Sequence, residues 1–295
     1  MEKKTTTPAL MMLGSMLIFG TIGIFRRYIP LPSAMLACVR GLLGGSFLLL
    51  VVLAKGKGFH WNLTKKQFLL LCVTGVALGL NWMLLFEAFN YTSIAVATLC
   101  YYMEPTTVIL LSPLLFKEKL SAKKLVCVVI SVIGIALVSG IADIEGITSA
   151  DLKGILFGLA AAALYSTVVI MNKKNPVDDA YGKTIVQLFA AAVVLLPYIL
   201  LTADFGSISL DGRAWVMILI VGIVHTGVAY ALYFGCMHQL KSQTVAVMSY
   251  LDPVSAIFLS AIFLNEPLTL LVAVGAFMVL GAALFSELGP LKKRY

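Results

Sequence analysis

"LCYYMEPTTVILLSPLLF", Leu99 to Phe116, sets an acid and a proline in the middle of a run otherwise fit for hydrocarbon. Glu104 stands where a charge is costly, and Pro105 stands where a helix would lose a backbone donor. The same construction recurs as Asp252 and Pro253 in "MSYLDPVSAIFLSAIFL", Met248 to Leu264. A shift of 148 residues lays "ATLCYYMEPTTVILLSPLLFKEKLS" over "VAVMSYLDPVSAIFLSAIFLNEPLT". Tyr102 then meets Tyr250, Glu104 meets Asp252, Pro105 meets Pro253, Ser112 meets Ser260 and Glu118 meets Glu266. Upstream, Trp82 meets Tyr230 and Phe86 meets Phe234. Polar and proline positions agree as well as apolar ones, which chance matching of two greasy stretches does not produce. The chain is an internal repeat.

Composition states what kind of repeat. With 60% hydrophobic residues, 12% charged residues and a mean hydropathy of +0.99, the 295-residue chain is not an ordinary soluble protein. Runs suited to crossing a bilayer, which takes about 20 apolar residues each, fall near 8–26, 33–54, 67–88, 94–116, 121–141, 154–172, 182–202, 214–236, 243–264 and 268–286. The loops leave no room for an extramembrane domain larger than 55–66 or 203–213. The N-terminal run lacks a small-x-small cleavage site and reads as a retained first helix. Five helices fall in each repeat, 1–145 and 146–295, and an odd number inverts the second repeat relative to the first. The expected fold is an all-α membrane protein of ten transmembrane helices in two inverted five-helix repeats. That architecture suits alternating access, with a substrate site near the midplane beside interrupted helices.

The net charge of +8 is distributed as topology. Of 22 Lys and Arg, 17 fall on the side of the termini and 4 on the other, with Arg40 inside a span. Lys and Arg concentrate in cytoplasmic loops, so both termini are expected in the cytoplasm, in a multi-pass protein of the plasma or inner membrane. No nucleic-acid partner is expected. Cys38, Cys72, Cys100, Cys127 and Cys236 lie singly in apolar runs and read as small core residues. There is no Walker sequence, GxSxG, HExxH or Cys/His cluster, so neither enzyme chemistry, a cofactor nor a metal is expected.

Function must then reside in the few polar and aromatic residues of the spans. A carboxyl in the membrane, such as Glu104 or Asp252, usually faces a cavity or a partner, and it can hold a proton or a cationic substrate. The competing structural reading makes each acid a helix N-cap and Pro105 and Pro253 the first residues of clean helix breaks. Trp82, Phe86, Tyr230 and Tyr233, with Tyr101, Tyr102 and Tyr250 on the acid-proline helices, form an aromatic set suited to a cation or a stacked ring, or else to packing. Arg40 lies seven residues after Ser33, roughly 10 Å along its helix, and either binds a substrate carboxylate or serves an internal contact. Asn81 and His225 complete the candidates. His225 either relays protons or is a satisfied packing residue. Gln187, Asn172 and Tyr165 are weaker ones. Glu87 reads as a solvated rim residue, and Glu118 and Glu266 as acids opening the last helix of each repeat.

These features resemble the drug/metabolite transporter superfamily, EamA type. The likeness rests on the two repeats and on each repeat's ending: small-x-x-x-[YL]-x-[ED]-P, an apolar stretch, "KEKLS" or "NEPLT", and a Gly-containing last helix, "VISVIGIALVSG" or "VGAFMVLGAALFS". The resemblance covers essentially the whole chain. It implies export or exchange of small metabolites through a central cavity lined by the third and fourth helices of each repeat, and no particular substrate. The expected partners are a small-molecule substrate, membrane lipids and, for a coupled cycle, protons, with the chain a monomer or a homodimer. Amino-acid export by alternating access is the leading expectation. An organic or quaternary ammonium cation, or a lipid handled as by a flippase, are the alternatives.

Overall fold

The computed structural model describes residues 3–56, 63–116, 121–138, 148–175, 177, 179–240 and 242–287. The first repeat comprises α1 (Lys3–Arg27), α2 (Ser33–Ala54), α3 (Lys65–Tyr91), α4 (Ile94–Tyr101), α5 (Glu104–Phe116) and α6 (Ala122–Val138). The second comprises α7 (Ser149–Lys174), α8 (Ala180–Thr202), α9 (Gly212–Leu219), α10 (Ala229–Cys236), α11 (Ser242–Ser249), α12 (Leu251–Leu264) and α13 (Leu270–Glu287). No strand occurs among the described residues. Helices α4 and α5 are one crossing broken in its middle, as are α11 and α12. A π-helical stretch, Ile220–Val228, joins α9 to α10. Ten crossings result, in two inverted sets of five, and eight of the described segments are long and apolar enough to span a bilayer outright.

The two breaks have a backbone cause. A helix continued through Tyr101 would need a donor at residue 105, and proline has none. Instead Tyr102 N donates to Thr98 O at 2.9 Å and Met103 N to Cys100 O at 3.1 Å, closing α4. Helix α5 restarts at once, with Thr107 N donating to Met103 O at 2.9 Å. At the mate position Tyr250 N reaches Val247 O and Val254 N reaches Tyr250 O, both at 3.3 Å. Each proline falls in the first turn of the new helix, where its missing N–H has no partner to lose. The capping role open to the acids does not form at the second break. Tyr250 precedes α12 and makes no side-chain cap, and Asp252 is the second residue of that helix. Glu104 is the first helical residue of α5.

The repeats hold together through α3 against α7 and α8, α2 against α8 and the π-helical stretch, and α6 against α13. Close approach explains several glycines. A Cβ on Gly75 or Gly79 of α3 would stand 2.5 Å from the carbonyl oxygens of Gln187 and Ala191 on α8. Large apolar residues such as Leu50, Leu201 and Phe277 are exposed on the outside of the bundle, where lipid replaces water.

Repeat mates are not packed alike. On α4 every residue from Ile94 to Cys100 is buried, and the helix lies against α7 and α12. On its mate α11, Thr244 and Val247 are exposed and Val245, Met248 and Ser249 half-buried, and the helix lies against α1, α12 and α13. Among the described residues α4 is thus more buried than α11; the end of the bundle where α1 finishes is called the far face below.

Candidate functional site

The central residues are assembled from both repeats at the two broken crossings. Tyr102 ends α4 in the first repeat, and its hydroxyl donates to Asp252 Oδ2 of the second at 2.8 Å. The Tyr102 ring lies 6.4 Å from that of Tyr250 and 5.9 Å from that of Tyr101. Tyr101 in turn lies 5.5 Å from Tyr165 on α7. Ser166, the next residue, donates to the backbone carbonyl of Glu104 at 3.1 Å and so pins the start of α5 to α7. Tyr165, a minor candidate in the sequence, thus joins the centre of the group. Tyr101, Tyr102, Tyr165, Tyr230, Tyr250, Glu104 and Asp252 are all half-buried.

Arg40 enters this group from α2. One turn further on, Gly44 leaves no side chain between α2 and the π-helical stretch, so Thr226 packs directly against it. Arg40 Nε donates to Thr226 Oγ1 at 2.9 Å, and Thr226 Oγ1 donates to Val221 O, five residues back, at 3.0 Å. The guanidinium carbon stands 4.0 Å above the Trp82 ring and 5.6 Å from that of Phe86. Arg40 is only 5% exposed, and it lies within electrostatic reach of Tyr230, Tyr101 and Asp252. Among the described residues nothing accepts a hydrogen bond from its two terminal amino groups. Trp82 and Phe86 are buried beneath it. They form a floor for the arginine.

The remaining candidates divide. Tyr230 stacks on Phe234 at 5.8 Å and meets Phe19 of α1 edge-on at 5.3 Å, and Tyr233 meets Phe234 at 5.3 Å. His225 is satisfied at both ring nitrogens, 2.8 Å from Thr21 Oγ1 and 3.3 Å from Ile220 O. With Phe25 4.8 Å away edge-on and only 1% exposure, it is packed inside the bundle. Asn81 is fully buried, and its Nδ2 donates to Ala161 O at 2.6 Å, tying α3 to α7.

A second polar cluster occupies the far face, and sequence reasoning missed its construction. Arg26 Nη1 donates to Ile29 O at 2.8 Å, and Nη2 to Asn90 Oδ1 at 3.1 Å and Ser33 Oγ at 3.2 Å. Ser33 and Asn90 donate to Glu87 Oε2 at 2.5 and 3.1 Å. Glu87 is therefore a bonded member of a network, not a solvated rim residue. Glu266 does not open α13, which starts at Leu270. Its carboxylate bonds the backbone of α4. Glu118 lies outside the described residues. No group of three or more metal-ligating side chains occurs among the described residues.

An all-helical, ten-crossing bundle of two inverted repeats with a polar centre at two broken crossings is the architecture of a membrane transporter. The EamA-like transporter family model matches this chain twice, over residues 6–140 and 152–287. A protein of Bacillus subtilis (strain 168) named "Uncharacterized transporter YxxF" is 32% identical over 263 residues, spanning 89% of this chain and 83% of its own length. An "Uncharacterized transporter" of Clostridium kluyveri is 26% identical over 248 residues, spanning 82% of this chain and 79% of its own. A crystal structure of a protein 19% identical superposes with a TM-score of 0.67, covering 96% of this chain and 99% of that one, and shares the fold. The chain belongs to the EamA-like transporter family.

Proposed function

We propose that the chain is a secondary active transporter that moves a small zwitterionic metabolite, an amino acid or a close chemical relative, by alternating access of its two repeats. The observation that carries this reading is Arg40. A guanidinium inside a span is costly, and here the terminal amino groups have no acceptor among the described residues yet are not sealed from accessible space, so an incoming anion can take their hydrogen bonds. A substrate carboxylate supplies two oxygens in the geometry a guanidinium grips best. Asp252, within electrostatic reach of Arg40, and Glu104 supply the opposite charge for an ammonium group, and the tyrosine rings give it π faces.

The second reading, an organic or quaternary ammonium cation, is favoured by the same acids and rings. Arg40 separates the two, because a positive charge at the centre of the group attracts a zwitterion and repels a cation. With the termini in the cytoplasm, as the distribution of Lys and Arg supports, α11 begins at the cytoplasmic face and α4 at the opposite one; we read the direction as outward, as the family resemblance implies. Asp252 and Glu104 also supply carboxyls that a proton-coupled cycle can use.

Thermal unfolding of the detergent-purified chain against amino acids, quaternary amines, sugars and nucleosides tests the choice. A ligand at 100 times its Kd that binds only the folded protein adds about 2.7 kcal/mol. Amino acids are expected to raise the Tm of the parent and of a surface control such as Ser207→Ala, and to leave Arg40→Met unmoved. Stabilisation by quaternary amines that survives or grows in Arg40→Met would replace the zwitterion with the cation.

A further inference from the structure

Glu266 is the residue whose position the substrate reading does not use. Helix α12 ends at Asn265 in the left-handed conformation, φ 55°, the one positive-φ residue other than glycine among those described. The turn carries the next side chain back toward the other repeat. Glu266 Oε1 accepts from Ile94 N at 2.8 Å and Oε2 from Ala95 N at 3.4 Å. Ser93 Oγ takes Val96 N at 3.1 Å. The first three N–H groups of α4, which a helix cannot satisfy internally, are thus filled, two of them by a carboxylate from the opposite repeat.

The same carboxylate is tied to α1. Arg27 Nη2 stands 3.6 Å from Glu266 Oε1 and donates to Thr92 O, at the end of α3, at 3.0 Å. The Glu266 side chain is 13% exposed and that of Arg27 38%, so water screens the bonds to the α4 backbone weakly and the ion pair more. One side chain therefore binds the end of α12 to the start of α4 and the end of α1. Opening the far face requires those three ends to separate. The mate of Glu266 on the opposite face is Glu118, which lies outside the described residues, and on the mate helix α11 Thr244 and Val247 are exposed.

We propose that Glu266 is the latch of the far face: seated on the N-terminus of α4 and on Arg27 it holds that face shut, and its release accompanies opening. The proposal rests on the alternating-access reading above. A latch biases two states only through interactions present in one of them. The bonds of Glu266 meet that condition, because they join elements of different repeats and break when the repeats rock apart.

The test follows the accessibility of two repeat mates. Val96 on α4 is buried, and Thr244 on α11 is exposed. Val96→Cys and Thr244→Cys are made separately in the full chain, reconstituted in nanodiscs so that both faces meet solvent, and labelled with a membrane-impermeant maleimide. Labelling of the native cysteines is subtracted. Val96→Cys alone is expected to react slowly but measurably. Adding Glu266→Gln is expected to speed it by about tenfold while slowing Thr244→Cys, as a population shift between two states requires. Arg27→Gln is expected to move both rates in the same directions by a smaller factor, and it carries the test if Glu266→Gln does not fold. Faster labelling at both positions would mean local unfolding and would overturn the latch, as would unchanged rates. Complete protection of Val96→Cys in every background would overturn the alternating-access reading as well.

Discussion

Helices α4 and α11 occupy the same place in the two repeats and begin crossings of the same design, yet α4 is buried from Ile94 to Cys100 while α11 is half-buried or exposed at its described side chains. Their sequences explain part of the difference. "SIAVATLCYYMEP" carries a serine cap and small residues that let α7 and α12 close in, whereas "KSQTVAVMSYLDP" opens with polar residues. The alternating-access reading accounts for the rest. Two inverted repeats that met their neighbours equally at both faces would seal both ends. Under the alternating access proposed above, a protein that exposes one end at a time packs its mates unequally.

The comparison can be broken most sharply by enlarging a side chain at mate positions. Ala97 of α4 is fully buried, beside Gly158 of α7, whose added Cβ would lie 2.8 Å from Cys100 Cβ. Ala97→Leu is expected to cost about 1–3 kcal/mol by overpacking, read as a lower Tm. Its mate Val245 is half-buried, and Val245→Leu is expected to change stability by less than about 0.5 kcal/mol. Equal costs would mean that the two ends are packed alike. A smaller effect sharpens the comparison at the centre. Tyr102→Phe removes the hydroxyl that donates to Asp252 and is expected to weaken substrate binding by roughly tenfold, the scale of a hydrogen bond to a charged group. Tyr250→Phe leaves that bond in place and is expected to weaken binding less, as read by ligand titration of both variants.

Much of this was legible in the sequence because it rests on composition and local chemistry. Runs of apolar residues gave the crossings, and an odd number per repeat gave the inversion. Pro105 and Pro253 located the breaks, since a missing N–H acts on the chain where it stands. The partners of the polar residues were not legible. Apolar residues face both lipid and core in a membrane bundle, so periodicity does not say which face of a helix looks inward. Asp252 therefore read equally well as a cap and as a ligand, and only the approach of Tyr102 from the other repeat decides where its carboxylate goes. Glu266 read as a first-turn acid because α13 follows it closely. Its actual partners at Ile94 and Ala95 lie 172 and 171 residues away. Nor did sequence signal the π-helical stretch that brings Thr226 to Arg40, although Gly44, Gly222 and Gly227 mark where helices approach closely.

The central claim is that a substrate passes between the repeats while held by Arg40 and the acids of the broken crossings. Counterflow measures this most directly: liposomes carrying the purified chain are loaded with unlabelled amino acids and diluted into a trace of one labelled amino acid. The account predicts transient accumulation of label in the parent and none in Arg40→Met, with the folded state of the variant confirmed by its melting curve. Equal accumulation in both would contradict it, because the carboxylate grip assigned to Arg40 would then play no part in transport.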